Sequence, residues 1–248
     1  MEAFQQLLTD SSYLRQEEVT FGECDRNERL RMAGLLGKLA CFAGYDYDAR
    51  GMTREKMMEQ GCVFLLSRVA VRIHRRPRYG EVLSIETWEA GTRGAHMQRD
   101  YALRDRAGAV CAACRGDWVL ADPVRHKILR PRSLVRDEFP AAPAALDCPL
   151  PKKLLLPKEG LEELGIRRVV WSDLDGNGHL FSGRYGDIVW DFLPEDLREQ
   201  EVKEFYLNYN KEATLGQELR ILGFREENTY RMEGLGPEST CFTALCVY

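Results

Sequence analysis

Several features that would place a chain in a special class are missing from this sequence of 248 residues. Its apolar runs are too short to span a bilayer. The first residues carry early acids and lack a basic, apolar leader, so no secretory signal is expected and the protein is predicted to be cytoplasmic. A net charge of −4 gives the chain as a whole no basis for binding nucleic acid. The remaining composition, 44% hydrophobic and 30% charged, is typical of a globular protein with one large domain or two smaller ones.

A metal-binding pattern of cysteines is also missing. The eight cysteines include one C-x-x-C, Cys111 and Cys114, with no second pair to complete a zinc site. These two lie in an apolar run that reads as a strand, where a spacing of three points their side chains to opposite faces. We expect all eight cysteines to be buried or inert thiols, and we expect no metal and no cofactor.

Proline marks the main boundary along the chain. Six of the ten prolines fall between Pro131 and Pro157, in a stretch with no sustained apolar period. We interpret Pro131–Gly160 as a long connection between two structured halves. The predicted division is a first unit at 1–130, a linker at 131–165 and a second unit at 166–248.

The two halves show the same predicted order of elements: a short extended run, a helix, then several strands. The first half has Val19–Glu23, a helix that follows Asn27 and ends near Gly44, and strands at Val63–His74, Glu81–Glu89, Met97–Arg104 and Val110–Ala121. The second half has Arg167–Trp171, a helix with its apolar face from Phe181 to Phe192 and its end at Pro194, and strands at Val202–Asn210, Gln217–Arg225, Thr229–Met232 and Thr240–Val247.

The repeat is also visible in the residue types. A shift of the chain by about 150 residues aligns Asp25 with Asp175 and Asn27 with Asn177, and a shift of about 136 aligns Gly80–Ile85 with Gly216–Ile221. A sheet that curls around one helix buries the apolar stripe of that helix. The sequence therefore predicts an α+β double hot dog fold, with two tandem units, each a long helix wrapped by an antiparallel sheet.

The segment Trp171–Leu180 carries the strongest functional signal. It places Asp173, Asp175, Asn177 and His179 at every second position, between glycines and just before the predicted helix. Backbone N–H groups at a helix start after Gly178 would form an oxyanion site, which indicates chemistry on a carbonyl. The alternative is structural: Asp175 as a helix N-cap and Asn177 with its glycines as a turn.

The stretch Val169–Trp190 resembles the signature W-x-D-L-D-x-N-x-H-x-N-N-x-x-Y of the acyl-acyl carrier protein thioesterases of bacteria and plant plastids. Weaker similarities at Phe64–Arg68, Pro77–Gly80 and Trp118–Asp122 extend the resemblance from about Leu14 to Tyr248. The resemblance implies a double hot dog enzyme that hydrolyses the thioester between a fatty acyl chain and its carrier protein. Released fatty acid would end chain elongation.

The resemblance also carries over a set of catalytic residues. The family's Asp, Asn and His fall on Asp175, Asn177 and His179, and its later Glu falls on Glu212, expected on a strand of the second unit. The following position is Ala213, which excludes a cysteine nucleophile there. Either Glu212 or Asp175 could be the base or the attacking carboxylate, and His179 could pass a proton to the leaving thiol. The two Asn residues after the family's His are replaced, which puts substrate preference in doubt.

The first unit has lost the acid–base set. Arg29 stands opposite His179 and Arg76 opposite Glu212, so we expect one active site per chain. The first unit would instead hold the acyl chain, although each of its apolar side chains is more simply explained as core. The expected surface comprises the helix face Met32, Leu35, Leu36 and Leu39 and the strand Val63–Val71.

A basic cluster is the candidate surface for an acidic carrier protein, with a solvated strand end as the alternative. It comprises Arg72, His74, Arg75, Arg76 and Arg78. A homodimer is compatible with the sequence. Two other functions stay open: hydrolysis of acyl-CoA on the same scaffold, and a non-catalytic acyl-binding protein. The retained acid, amide and imidazole argue against the second.

Overall fold

The computed structural model describes residues 4–125, 127–136 and 145–248. The first half begins with a short strand pair, then a long helix and a four-stranded arrangement that wraps it. Its elements are β1 Gln6–Leu8, β2 Ser12–Glu18, α1 Met32–Ala49, α2 Arg54–Glu59, β3 Val63–Ile73, β4 Val82–Arg93, β5 His96–Arg104, β6 Val110–Asp122 and β7 Lys127–Leu129.

The second half repeats this order with shorter helices. Its elements are β8 Glu162–Arg168, α3 Arg184–Phe192, α4 Glu195–Arg198, β9 Glu204–Tyr209, β10 Glu218–Glu226, β11 Thr229–Leu235 and β12 Thr240–Val247. Strand β8 follows β2 by 150 positions at both ends, as the repeat in the sequence predicted.

The strands form one antiparallel sheet in the order β1-β2-β4-β5-β6-β3-β9-β12-β11-β10-β8, with β7 paired to β6. Each half contributes the same neighbour order, and the halves join where β3 pairs with β9. In that seam Val69 lies opposite Leu207 and Val71 lies opposite Phe205. The repeat matches Val69 with Phe205 and Val71 with Leu207, so each pair is converted into the other when the two halves are exchanged. This local two-fold relation confirms the double hot dog fold.

The core lies between the sheet and the two helices. Met32, Leu35, Leu36 and Leu39 on α1 are at most 5% exposed and belong to one cluster with the inward side chains of both halves. Helices α1 and α3 also contact each other closely, because a Cβ atom at Gly186 would lie 2.7 Å from a backbone nitrogen of α1. The four helix side chains expected to hold the acyl chain are therefore core residues, whereas residues 63–68 of β3 are only partly buried.

The extended run predicted at Val19–Glu23 was wrong, and the one at Arg167–Trp171 is extended strand only at Arg167 and Arg168. The strands end earlier, at Glu18 and Arg168, and 3₁₀ turns occupy Phe21–Glu23 and Trp171–Asp173. A carboxylate closes each turn, since Glu23 accepts the N–H of Thr20 at 2.9 Å and Asp173 accepts that of Val170 at 2.9 Å. The helices also start later than predicted, α1 continues to Ala49, and the short helix α2 was not predicted.

The predicted connection packs on the outer face of the sheet, as far as it is described; residues 137–144 lie outside the described residues. Leu154 is 9% exposed against Tyr206 and Leu245. Its N–H donates to Asn208 Oδ1 at 2.8 Å, and Asn208 Nδ2 donates to the carbonyl of Lys152 at 2.9 Å. The connection is thus fixed to the seam that joins the two halves.

The cysteines are all free thiols. Five are buried, Cys24 and Cys148 are partly buried, and Cys41 is exposed. Burial, with a smaller effect of Asp100, raises the pKa of Cys148 to about 12. In the described ranges, no group of His, Cys, Asp and Glu side chains is arranged to hold a metal ion, and no helix is long and apolar enough to cross a membrane.

Candidate active site

Asp175 sets the shape of the loop that carries the signature. Its Oδ1 accepts the N–H of Asn177 at 2.7 Å and that of His179 at 3.3 Å. The backbone closes the same loop, since the N–H of Gly178 donates to the Asp175 carbonyl at 3.0 Å. Gly178 has a φ of +79°, which side chains rarely adopt, so the glycine is required by the turn.

The loop places His179 next to Glu212. His179 forms an antiparallel bridge with Thr214, and the N–H of Leu180 donates to the carbonyl of Ala213 at 2.8 Å. This pairing leaves 3.3 Å between His179 Nε2 and Glu212 Oε2, with the two side chains 26% and 37% exposed. Glu212 lies in the loop after β9, not on a strand as expected. The pair is thus accessible to water and to a substrate.

Asn177 lies exposed at the tip of the loop and contacts the other half of the molecule. Its Oδ1 accepts a hydrogen bond of 2.7 Å from Arg54 Nη2, where Arg54 is the first residue of α2. The bond uses the amide oxygen, and the Nδ2 group is the donor end of the same amide. Sequence reasoning missed Arg54 because it is 123 residues away and α2 was not predicted.

The predicted backbone oxyanion site is wrong. Helix α3 begins only at Arg184, and the N–H groups of the loop are already donated within the protein. Those of Asn177 and His179 go to Asp175, while those of Leu180 and Phe181 go to the carbonyls of Ala213 and Asp173. Side-chain donors, the Asn177 amide and the imidazole, are therefore the better candidates to bind an oxyanion.

A cluster of buried aromatic side chains packs beneath the loop in the core. Tyr185, the tyrosine of the signature, is 3% exposed, and its ring centroid lies 5.2 Å from that of Tyr209 and 5.3 Å from that of Phe242. Burial is the main cause that raises the pKa of Tyr185, and Cys241, Glu212 and Asp175 add to it. The phenol consequently stays protonated beside the two carboxylates.

The first half contains the same loop without the acid–base pair. Asp25 Oδ1 accepts the N–H of Asn27 at 2.9 Å and that of Arg29 at 3.0 Å, and Arg29 bridges to Arg78 as His179 does to Thr214. Arg76 occupies the place of Glu212 and pairs with Asp25 Oδ2 at 2.7 Å. Asp25 makes these bonds in a half that has no Glu–His pair. The matching bonds of Asp175 are therefore explained by the structure of the loop alone.

Most of the predicted docking residues are paired with acids of their own chain. Arg72 contacts Asp147 and Glu204, and Arg75 contacts Glu81 and Asp105, all at 2.5–3.0 Å. Arg76 is held by Asp25, whereas His74 and Arg78 are exposed. The charge that this cluster offers to a partner is smaller than the sequence indicated.

Comparisons with known proteins agree with the fold. This chain is 27% identical over 205 residues to the chloroplastic oleoyl-acyl carrier protein thioesterase 2 of Arabidopsis thaliana, covering 73% of this chain and 53% of that relative. It is 27% identical over 181 residues to the chloroplastic palmitoyl-acyl carrier protein thioesterase of Cuphea hookeriana, covering 69% and 43%. The match thus spans about half the length of these relatives.

Two solved structures share the fold. An acyl-ACP thioesterase from Bacteroides thetaiotaomicron superposes with a TM-score of 0.85 at 22% identity, over 97% of this chain and 99% of that one. The 12:0-ACP thioesterase from Umbellularia californica gives 0.77 at 17% identity, over 97% and 98%. The family models for the acyl-ACP thioesterase N-terminal and C-terminal domains match residues 10–140 and 161–235. The chain, with its Asp–Asn–His loop intact, therefore belongs to the acyl-ACP thioesterase family.

Proposed function

We propose that this protein hydrolyses the thioester between a fatty acyl chain and acyl carrier protein, releasing free fatty acid and ending elongation. The observation that carries the proposal is the contact of 3.3 Å between His179 Nε2 and Glu212 Oε2, beside the exposed amide of Asn177. The corresponding places in the first half hold Arg29 and Arg76, so the second half is the one with groups that can move a proton.

Glu212 activates water, and the water attacks the thioester carbonyl. Glu212 takes the proton of the water and the Asn177 amide stabilises the developing oxyanion. As the C–S bond breaks, His179 relays that proton from Glu212 to the leaving thiolate, so both groups return to their starting state. Attack by Glu212 itself, followed by hydrolysis of the anhydride, is the alternative that the same contact permits. Asp175 holds the loop, which is the role supported by its match with Asp25.

The first unit, 1–130, binds the acyl chain and the second unit performs the reaction. Strand β8 begins at Glu162, so the linker ends at 161 and not at 165 as the sequence predicted. Support for the division is the crossing of α1 and α3, where the ring of Phe181 lies 3.7 Å from the position of a Cβ atom on Gly37. Phe181 replaces an asparagine of the signature, so it is placed to limit the chain that fits. A panel of carrier-protein thioesters of varied acyl length, scored by released fatty acid, tests this division and the reaction together.

Acyl-CoA hydrolysis is the competing reaction, and both thiol carriers should be assayed side by side. A clear preference for the carrier protein supports the proposal, and equal turnover of both would contradict it.

The docking cluster of Arg72, His74, Arg75, Arg76 and Arg78 belongs to the same proposal. Reversing the charge of exposed Arg78 should raise KM for the carrier substrate and leave that for a small acyl thioester unchanged, and equal effects would exclude docking there.

A homodimer and a cytoplasmic location remain proposals. Leu7 and Leu8 on the edge strand β1 are 55% and 43% exposed, which supports pairing of two copies through that edge. Light scattering at several concentrations measures the mass directly. A monomer at every concentration would end the dimer proposal.

A further inference from the structure

A cavity lies at the loop of the first half. It has a volume of about 430 Å³ and lies between that loop and the elements α3 and α4. Its lining in the described part of the chain includes none of the four predicted catalytic residues. The local two-fold relation makes this cavity the counterpart of the active site, with Arg76 in the place of Glu212.

The wall of the cavity is rich in arginine and carries one more cation than anion. Six arginines face five acidic side chains; the arginines are Arg26, Arg31, Arg76, Arg167, Arg184 and Arg198. Guanidinium groups bind carboxylates in a planar, two-pronged geometry. The formal excess of positive charge favours an anion as the ligand.

The arginines are held in place before any ligand arrives. Arg31 donates to Asp187 Oδ1 at 3.0 Å and to the carbonyl of Gly22 at 2.9 Å, yet its buried Nε has no hydrogen-bond partner among the described residues. Arg76 is fixed by Asp25 and by the carbonyl of Leu30. Arginines that are already held in place lose little side-chain freedom when they bind an anion.

An apolar cleft continues from the cavity and shares Arg31, Met32, Arg76 and Trp190 with it. The cleft lies where the second half holds the aromatic cluster Tyr185, Tyr209 and Phe242. The repeat replaces these rings by Leu35, Ile73 and Ala112, and the sheet register agrees, because Ile73 pairs with Ala112 as Tyr209 pairs with Phe242. Its free space is about 10 Å³, so a tail that enters must shift neighbouring side chains.

We propose that this cavity binds a monocarboxylate with a short alkyl tail. The carboxylate lies between Arg31 and Arg76, and the tail runs along Met32 and Trp190 toward Ala112. A thioester hydrolase releases a compound of this class, but the proposal does not rest on that reaction, because binding is measured with no thioester present.

Calorimetric titration of the full chain with sodium octanoate, sodium acetate, inorganic phosphate and coenzyme A tests the site. Octanoate should bind most tightly, with affinity rising by up to about fourfold per methylene that enters the cleft. Arg31→Gln should weaken octanoate by about tenfold or more. The matched control Arg220→Gln, which removes an exposed guanidinium paired with Glu163, should leave the affinity unchanged.

Two further variants locate the ligand. Ala112→Phe, which restores the ring of the second half, should weaken octanoate and not acetate, with a melting curve to establish that the variant is folded. Glu212→Gln should leave octanoate affinity unchanged. The proposal is overturned if octanoate does not bind, if Arg31→Gln binds it equally well, if Glu212→Gln abolishes binding, or if phosphate or coenzyme A binds more tightly than octanoate.

Discussion

Replacement of Asp175 by Asn distinguishes two roles of this side chain: a hydrogen-bond acceptor that holds the loop, and a charged group that takes part in catalysis. Asn keeps an Oδ1 atom that can accept both N–H groups of the loop, now at 2.7 and 3.3 Å, and it loses only the negative charge. Hydrogen bonds to a charged group contribute about 1 kcal/mol more than neutral ones, so the two bonds together should cost about 1–2 kcal/mol. For a chain of this size that lowers the melting temperature by about 2–8 °C.

The rate of thioester hydrolysis should fall far less in Asp175→Asn than it does when an enzyme loses its general base. We expect Asp175→Asn to reduce single-turnover hydrolysis by less than about tenfold, whereas loss of a general base costs about 10²–10⁴. Asp25→Asn is the control for stability, since Asp25 makes the same loop bonds and also pairs with Arg76. It should lower the melting temperature at least as much. A rate loss for Asp175→Asn that equals that of Glu212→Gln would refute the structural role.

Three further outcomes are expected. Arg54→Ala removes the donor to Asn177 Oδ1, so the amide loses its fixed orientation. We expect kcat to fall by about threefold to tenfold, with a smaller change of melting temperature than Asp175→Asn causes. An unchanged kcat would exclude this role of Arg54. Gly186→Ala places a Cβ atom 2.7 Å from the α1 backbone and should cost about 1–3 kcal/mol in thermal unfolding, while Gly176→Ala, with open space around it, should not. Burial acts to raise the pKa of Glu23, but hydrogen bonds from Lys38 and Thr20 outweigh it and hold the pKa below 4.5. The stability that Glu23 contributes is therefore complete above pH 4.5 and lost as the pH falls through the lowered value, so the decrease in melting temperature between pH 6 and pH 3 should be smaller in Glu23→Gln.

Periodicity and repetition in the sequence were sufficient to predict the fold. The predicted strand Thr240–Val247 has the observed bounds, because it is apolar, buried and free of competing polar caps. The shifts of 150 and 136 residues correctly predicted which elements correspond in the two halves. The extended runs failed where a single side chain, Glu23 or Asp173, closes a turn that apolar patterning does not reveal.

The structure brings the predicted residues His179 and Glu212 together, but the geometry of the loop around them differs from the prediction. The motif and the repeat pointed to the residues, but the N–H groups of the loop are donated to Asp175, Asp173 and Ala213, and apolar patterning reveals none of these bonds. The same limit applies to Arg54, which reaches Asn177 only because the two halves pack together. Interactions across the seam between the halves had to come from the structure.

The central claim is that Glu212, in contact with His179, is the carboxylate that drives thioester cleavage. Its most direct test is single-turnover hydrolysis of a purified acyl-acyl carrier protein by Glu212→Gln, with Asp175→Asn measured in parallel. The account predicts a rate lower by about 10² or more for Glu212→Gln at an unchanged melting temperature, and a much smaller loss for Asp175→Asn. Full activity of folded Glu212→Gln would contradict it.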